Sequence, residues 1–259
     1  MRKVFIHIPK TAGTSVTEVL RRQCGAEKFC KHIFDSDIKN LSKAEIQKFH
    51  VFAGHFNYAT VVAAMPHATC FTFLRNPLDR VVSLVRYWRA HSWEWIEANP
   101  EHARHVQFAK THTLAEIFRC SGNGVFRNIN NVYVRVFGDP SHYSAQGQLL
   151  VAPDRALERA IKNAERLAFV GFVEHMDASM GQLLSLLQWD GVAKVPCRNT
   201  ASDGYFRPER GAFEKTEIAS YVFSEEEQVA LGKHIDLDAQ FYQHFLNLRR
   251  PAAIPSSNP

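Results

Sequence analysis

The chain has 259 residues, 46% of them hydrophobic and 22% charged, with a mean hydropathy of -0.24 and a net charge of +5. That composition excludes a disordered chain, and no apolar run approaches the ~20 residues that span a bilayer. The pI is near 9.0, yet no block of five or six basic residues occurs, so an anionic ligand is favoured and a nucleic-acid-binding arm is not.

Residues 4–8 read as a short buried strand, apolar except for His7. It runs into Pro9-Lys10-Thr11-Ala12-Gly13-Thr14-Ser15, and a helix is expected over 14–23, with Val16, Val19 and Leu20 on one face. Residues 35–50 are polar and mixed, with Ser42 and Glu45 spaced as a capping box. Residues 51–55 (VFAGH) and 69–74 (TCFTFL) read as strands, the second stopped by Arg75-Asn76-Pro77. A helix follows over 78–91. The middle is helical and aromatic, with Trp88, Trp93 and Trp95 as candidates for stacking on a sugar and a loop at 121–124. An amphipathic helix over 154–167 precedes a strand at 169–173 and a helix at 176–189. Residues 191–215 read as loop, 224–248 as helix and 251–259 as a disordered tail. Short apolar strands alternating with long helices predict an α/β fold, a mainly parallel central sheet flanked by helices. No repeat or linker divides the chain, so a single domain over 1–250 is expected.

Five cysteines (Cys24, Cys30, Cys70, Cys120 and Cys197) are odd in number, irregularly spaced and without a CxxC pair. Neither a disulfide framework nor a metal site is expected, and Cys70 reads as a buried small hydrophobe. This usage suits a reducing compartment. With no signal peptide or membrane span in view, a cytoplasmic location is the expectation.

The loop between the first strand and the first helix has the makings of an anion site. A helix start offers N–H groups without helical partners and the positive end of the helix dipole. Gly13 would let the backbone approach a ligand closely, Thr11, Thr14 and Ser15 add hydroxyls, and Lys10 adds charge. It is not a Walker A loop, because the lysine precedes the glycine. Arg75 stands at the carboxyl end of a strand, where parallel sheets bind ligands, with Ser83 about two turns into the next helix. Pairing of Arg75 with Asp79 is the structural alternative.

HIPKTAGTS followed by LRNPLDRVVS resembles the carbohydrate sulfotransferase family that uses 3′-phosphoadenosine 5′-phosphosulfate (PAPS). NNVYVRVFG (130–138), FVGFVEHMDASMGQLLSLL (169–187) and DLDAQFYQHF (236–245) are similar to further segments of that family. The resemblance implies a P-loop-like PAPS sulfotransferase fold and sulfuryl transfer to an acceptor hydroxyl, on a carbohydrate or lipid-linked sugar, leaving PAP. It implies no metal and suggests a bacterial member. The 5′-phosphosulfate would lie against Lys10, Thr11, Ala12, Gly13, Thr14 and Ser15, with Lys10 near the departing phosphate. Arg75 and Ser83 would take the 3′-phosphate, joined by Arg198 from the loop 197–207, and Arg207 would face the acceptor. His55, ending a strand after a glycine, is the expected general base. The uronyl 2-O-sulfotransferase branch flanks that glycine with two histidines, and here Ala53 replaces the first. His7 reads as a core or supporting histidine, and Glu174 and Asp177 as weaker candidate bases. A magnesium- and ATP-dependent kinase and a catalytically silent nucleotide binder are the competing classes.

Overall fold

A computed structural model describes residues 1–30, 34–119, 124–189 and 224–249. Cys120, Cys197, Arg198, Arg207, the loop 191–215 and the tail 251–259 lie outside the described residues. Four strands, β1 (Lys3–Ile6), β2 (Val51–Gly54), β3 (Thr69–Leu74) and β4 (Phe169–Phe172), form one parallel sheet in the order β2-β1-β3-β4. The expected α/β class holds. The first strand ends at Ile6, two residues earlier than expected, although the His7 amide still donates to the Gly54 carbonyl of β2 at 2.8 Å before the chain enters the loop.

Helices follow in chain order: α1 (Gly13–Cys24), α2 (Asp35–Asn40), α3 (Lys43–Gln47), α4 (Tyr58–Ala64), α5 (Pro77–Arg89), α6 (Trp93–Ala98), α7 (Pro100–Thr111), α8 (Leu114–Arg119), α9 (Gly124–Ile129), α10 (Val132–Phe137), α11 (Pro153–Ala164), α12 (Met176–Leu186) and α13 (Glu225–Arg249). The capping box expected at Ser42 starts α3, with Ser42 Oγ accepting from the Glu45 amide at 3.2 Å and Glu45 Oε2 accepting from the Ser42 amide at 2.8 Å. Helix α4 was not anticipated, because its run YATVVAA carries no helical periodicity or strong start signal.

Strand side chains alternate between the two faces. Val4, Ile6, Phe52, Cys70 and Leu74 join a core with α4, α10, α11 and the second half of α13. Phe5, Val51, Ala53, Phe71 and Phe73 join another with α1 and α12. Both faces are therefore covered, which is why the strands read as nearly continuous apolar runs rather than as alternation. Gly171 of β4 lies beside Phe73, and a Cβ there would come within 2.7 Å of that ring. Cys70 is buried as expected, and burial pushes its thiol up to about 11.

A third core lies away from the sheet, built from α5 to α9 and the first half of α13. Trp88 belongs to it and is 2% exposed, so it is a core residue and not a sugar platform. At 25 residues, α13 runs about 37 Å and joins this helical core to the sheet.

Candidate active site

Because all four strands are parallel, their carboxyl ends share one edge of the sheet. In spatial order that edge carries His55 after β2, residues 7–15 after β1, Arg75 after β3 and Glu174 after β4. The chain leaves β1 for β2 on one side and then crosses to β3 on the other. The crevice beside β1 and β3 is the switch point, where open parallel sheets take ligands. Lys10 and Arg75 flank it.

The loop after β1 curls tightly. Lys10 and Ala12 both have left-handed backbone, with φ of 72° and 60°. Such a conformation costs a non-glycine residue about 1–2 kcal/mol, and strain of this kind concentrates at ligand-binding turns. Ala12 stands in the N-cap position of α1 and has no side chain to cap the helix, and the first turn carries no acidic residue. The N-terminal end of α1 therefore keeps its positive polarity, which suits an anion. Thr11 is different. It is fully buried, and its hydroxyl and amide both donate to the Ile8 carbonyl, at 2.9 and 3.3 Å. Its side chain closes the turn; of the other two expected hydroxyls, Ser15 is also buried and Thr14 is partly exposed.

Gly13 also has a reason that the residue pattern did not reveal. A Cβ on it would sit 1.6 Å from Nε2 of His7. The histidine ring occupies the space a side chain would need. His7 in turn stacks on Phe5, at a centroid distance of 5.4 Å, and meets the His55 ring at 4.5 Å. Gly13→Ala is expected to force the His7 ring out and lower stability by about 1–3 kcal/mol. His7→Ala placed on top should recover part of the loss, a coupling that thermal unfolding of the two single variants and the double variant would measure.

His55 is half-buried, and its Nδ1 lies 2.8 Å from the His7 carbonyl oxygen. A carbonyl only accepts, so Nδ1 carries the proton. The neutral ring then holds its basic lone pair on Nε2. The same carbonyl contact fixes the ring relative to the β1 loop, so His55 and that loop form one unit. His50 is exposed.

The Lys10 ammonium lies 4.4 Å from the centre of the Tyr87 ring. Tyr87 follows Ser83 by four residues on α5, so both stand on the face turned to the loop. This brings Lys10 and Ser83 to the same crevice wall. Arg80, one turn before Ser83, points elsewhere. It is fully buried and donates to the Asn128 and Ile129 carbonyls at 3.2 Å each.

Arg75 is held through its backbone. The Tyr133 hydroxyl donates to the Arg75 carbonyl at 2.6 Å and accepts from its amide at 3.2 Å. The Arg75 guanidinium makes no hydrogen bond or ion pair among the described residues, so the alternative pairing with Asp79 does not form. Next to it, the Asn76 side chain caps α5 by accepting from the Leu78 and Asp79 amides, and Pro77 opens the helix. Glu174 Oε1 accepts from the Asn76 amide at 2.6 Å. That contact makes Glu174 a brace between β4 and the β3 loop. Asp177 is exposed in the first turn of α12. Trp93 is exposed beside Lys110, and Trp95 packs on His91.

A protein-family model described as "Sulfotransferase family" matches residues 3–243. The chain belongs to the sulfotransferase family. A solved structure of mouse sulfotransferase SULT7A1 complexed with PAP is similar over 95% of this chain and 88% of that chain, at 15% identity and a TM-score of 0.45. No curated protein matches the chain. The family assignment agrees with the motifs on the β1 and β3 loops, and the P-loop-like arrangement of strand, loop and helix carries the first of them. Among the described residues no helix is long and apolar enough to cross a membrane.

Proposed function

We propose that this family member moves the sulfuryl group of PAPS to a hydroxyl of a carbohydrate or glycolipid acceptor by in-line transfer, with His55 as general base. The order along the sheet edge carries this reading: base, anion loop and arginine stand after β2, β1 and β3. Residues 1–250 serve in it as one sulfotransferase domain, acting in the cytoplasm without a metal. PAPS, when bound, supplies an activated sulfuryl group and departs as PAP.

The chain's own residues divide the work. Amides at the start of α1, with Thr14 and Ser15, orient the 5′ group. Lys10 holds a positive charge where negative charge grows on the leaving phosphate, a preorganised electrostatic contribution. Arg75, with Ser83, takes the 3′-phosphate, whose oxygens a guanidinium matches two at a time. Nε2 of His55 removes the acceptor proton as the hydroxyl attacks. Transfer of this kind depends on positioning and charge more than on covalent chemistry.

Calorimetric titration with PAP, with and without magnesium and against ATP, tests the donor. Tight, magnesium-independent PAP binding is expected. Magnesium-dependent ATP binding without PAP binding would replace this reading with that of a kinase, and PAP binding without transfer to any acceptor would leave a silent binder. Arg75→Ala should weaken PAP binding roughly 10–150-fold, the worth of hydrogen bonds to a charged group. It should leave AMP, which lacks the 3′-phosphate, nearly unaffected.

A further inference from the structure

We infer that Tyr133 is a positioning residue for 3′-phosphate recognition, holding Arg75 from a helix that Asn131 and Asp238 lock to α13. The inference rests on the role proposed for Arg75.

Tyr133 is fully buried, and its hydroxyl engages both the amide and the carbonyl of Arg75. Two bonds to one residue fix the peptide planes on both sides of its Cα, and hence the direction in which the side chain leaves the strand end. A hydroxyl can do this because it is donor and acceptor at once.

The position of the hydroxyl depends on where α10 sits, and α10 starts without a cap of its own. Its N-cap residue, Asn131, has left-handed backbone (φ 40°) and makes no side-chain cap bond to α10. Asp238 of α13 supplies one instead, its Oδ1 accepting from the Tyr133 and Val134 amides at 2.8 and 3.1 Å. Asn131 returns the contact. Its Oδ1 accepts from the Leu237 and Asp238 amides at 3.1 and 3.2 Å, and its own amide donates to the His234 carbonyl at 2.7 Å. Asp238 thus caps α10 while Asn131 binds the middle of α13, the partners standing about 105 residues apart in sequence.

The arrangement is costly by itself. Burial pushes the Asp238 carboxyl up to about 6, against the pull of Arg80 and the two amides. Its Oδ2 and the Arg80 Nε are buried without hydrogen bonds. Groups left in that condition are uncommon in a fold unless something else is secured by them. What is secured here is the Tyr133 hydroxyl under Arg75.

A residue that only stabilised the fold would affect all nucleotides alike. The deciding quantity is the ratio of Kd for AMP to Kd for PAP, which isolates the 3′-phosphate. Wild type should show a large ratio, and Arg75→Ala should reduce it towards one. Tyr133→Phe should lower the ratio at least tenfold with the AMP Kd nearly unchanged. An unaltered ratio in Tyr133→Phe, with Arg75→Ala still lowering it, overturns the inference alone. A ratio unaltered in Arg75→Ala instead overturns the role of Arg75 and with it the inference. Should Tyr133→Phe fail to fold, Asn131→Gly reads the same ratio. Glycine tolerates the left-handed backbone and removes the Oδ1 bonds to Leu237 and Asp238 while the Asp238 cap on α10 stays, so a lowered ratio supports the inference and a wild-type ratio overturns the part assigned to Asn131.

Discussion

Replacing Lys10 with methionine is expected to lower kcat by roughly 10²–10³-fold, the scale seen when a preorganised charge or donor is removed from the place where charge develops. Methionine keeps an unbranched stem against Tyr87, on whose ring the ammonium lies at 4.4 Å. It also inherits the same backbone strain, because lysine is itself at φ 72°. The comparison therefore isolates the charge. PAP affinity should change much less than kcat, since the charge matters most as the phosphate departs. Steady-state kinetics with PAPS, together with calorimetric PAP titration, would check both numbers. Wild-type turnover in Lys10→Met would remove Lys10 from the mechanism.

Replacing His55 with alanine should cost roughly 10²–10⁴-fold in kcat, the usual contribution of a positioned general base, while PAP still binds. The base acts as the neutral ring. Wild-type kcat should therefore fall when acid protonates the ring, and the variant should lose that dependence. His55→Gln is a useful companion, because its side-chain NH₂ can still donate to the His7 carbonyl that now accepts from Nδ1 at 2.8 Å. If the glutamine variant binds PAP normally but does not turn over, the loss belongs to the proton and not to the loop. That pH dependence retained in both variants would move the base to another residue.

Much of the fold was legible in the residues themselves. The strands at 51–54, 69–74 and 169–172 are short apolar runs closed by glycine, arginine or a charged turn, and they appear within one residue of expectation. Helices α1, α5, α11 and α13 carry apolar positions at helical spacing and appear with ends shifted by three residues or fewer. The loop motif at 7–15 and the arginine at 75 were legible because their chemistry is local: a turn, a helix start and a charge within a few residues.

Contacts between distant segments left no local trace. Nothing near Gly13 announces that the His7 ring fills its missing side chain, since that depends on how the loop folds back. Thr11 resembles a ligand hydroxyl in every local respect, and only the turn's closure shows that Ile8 has claimed it. Nothing near Glu174 announces that it accepts from the Asn76 amide in the β3 loop. Trp88 follows the same rule, a candidate platform by type that packing makes core.

By itself, then, the sequence determined the α/β class, the tight loop between β1 and α1, the arginine after β3 and the histidine after β2, because patterning, turn chemistry and charge act over a few residues. Only the tertiary structure decided which side chains reach the ligand edge and which hold it in place. Parallel pairing brings four strand ends together from residues 6 to 172, and a hydroxyl 58 residues away bonds both backbone groups of Arg75. Such contacts are set by how whole elements pack, and the residues involved are chosen by that geometry rather than by their neighbours in the chain.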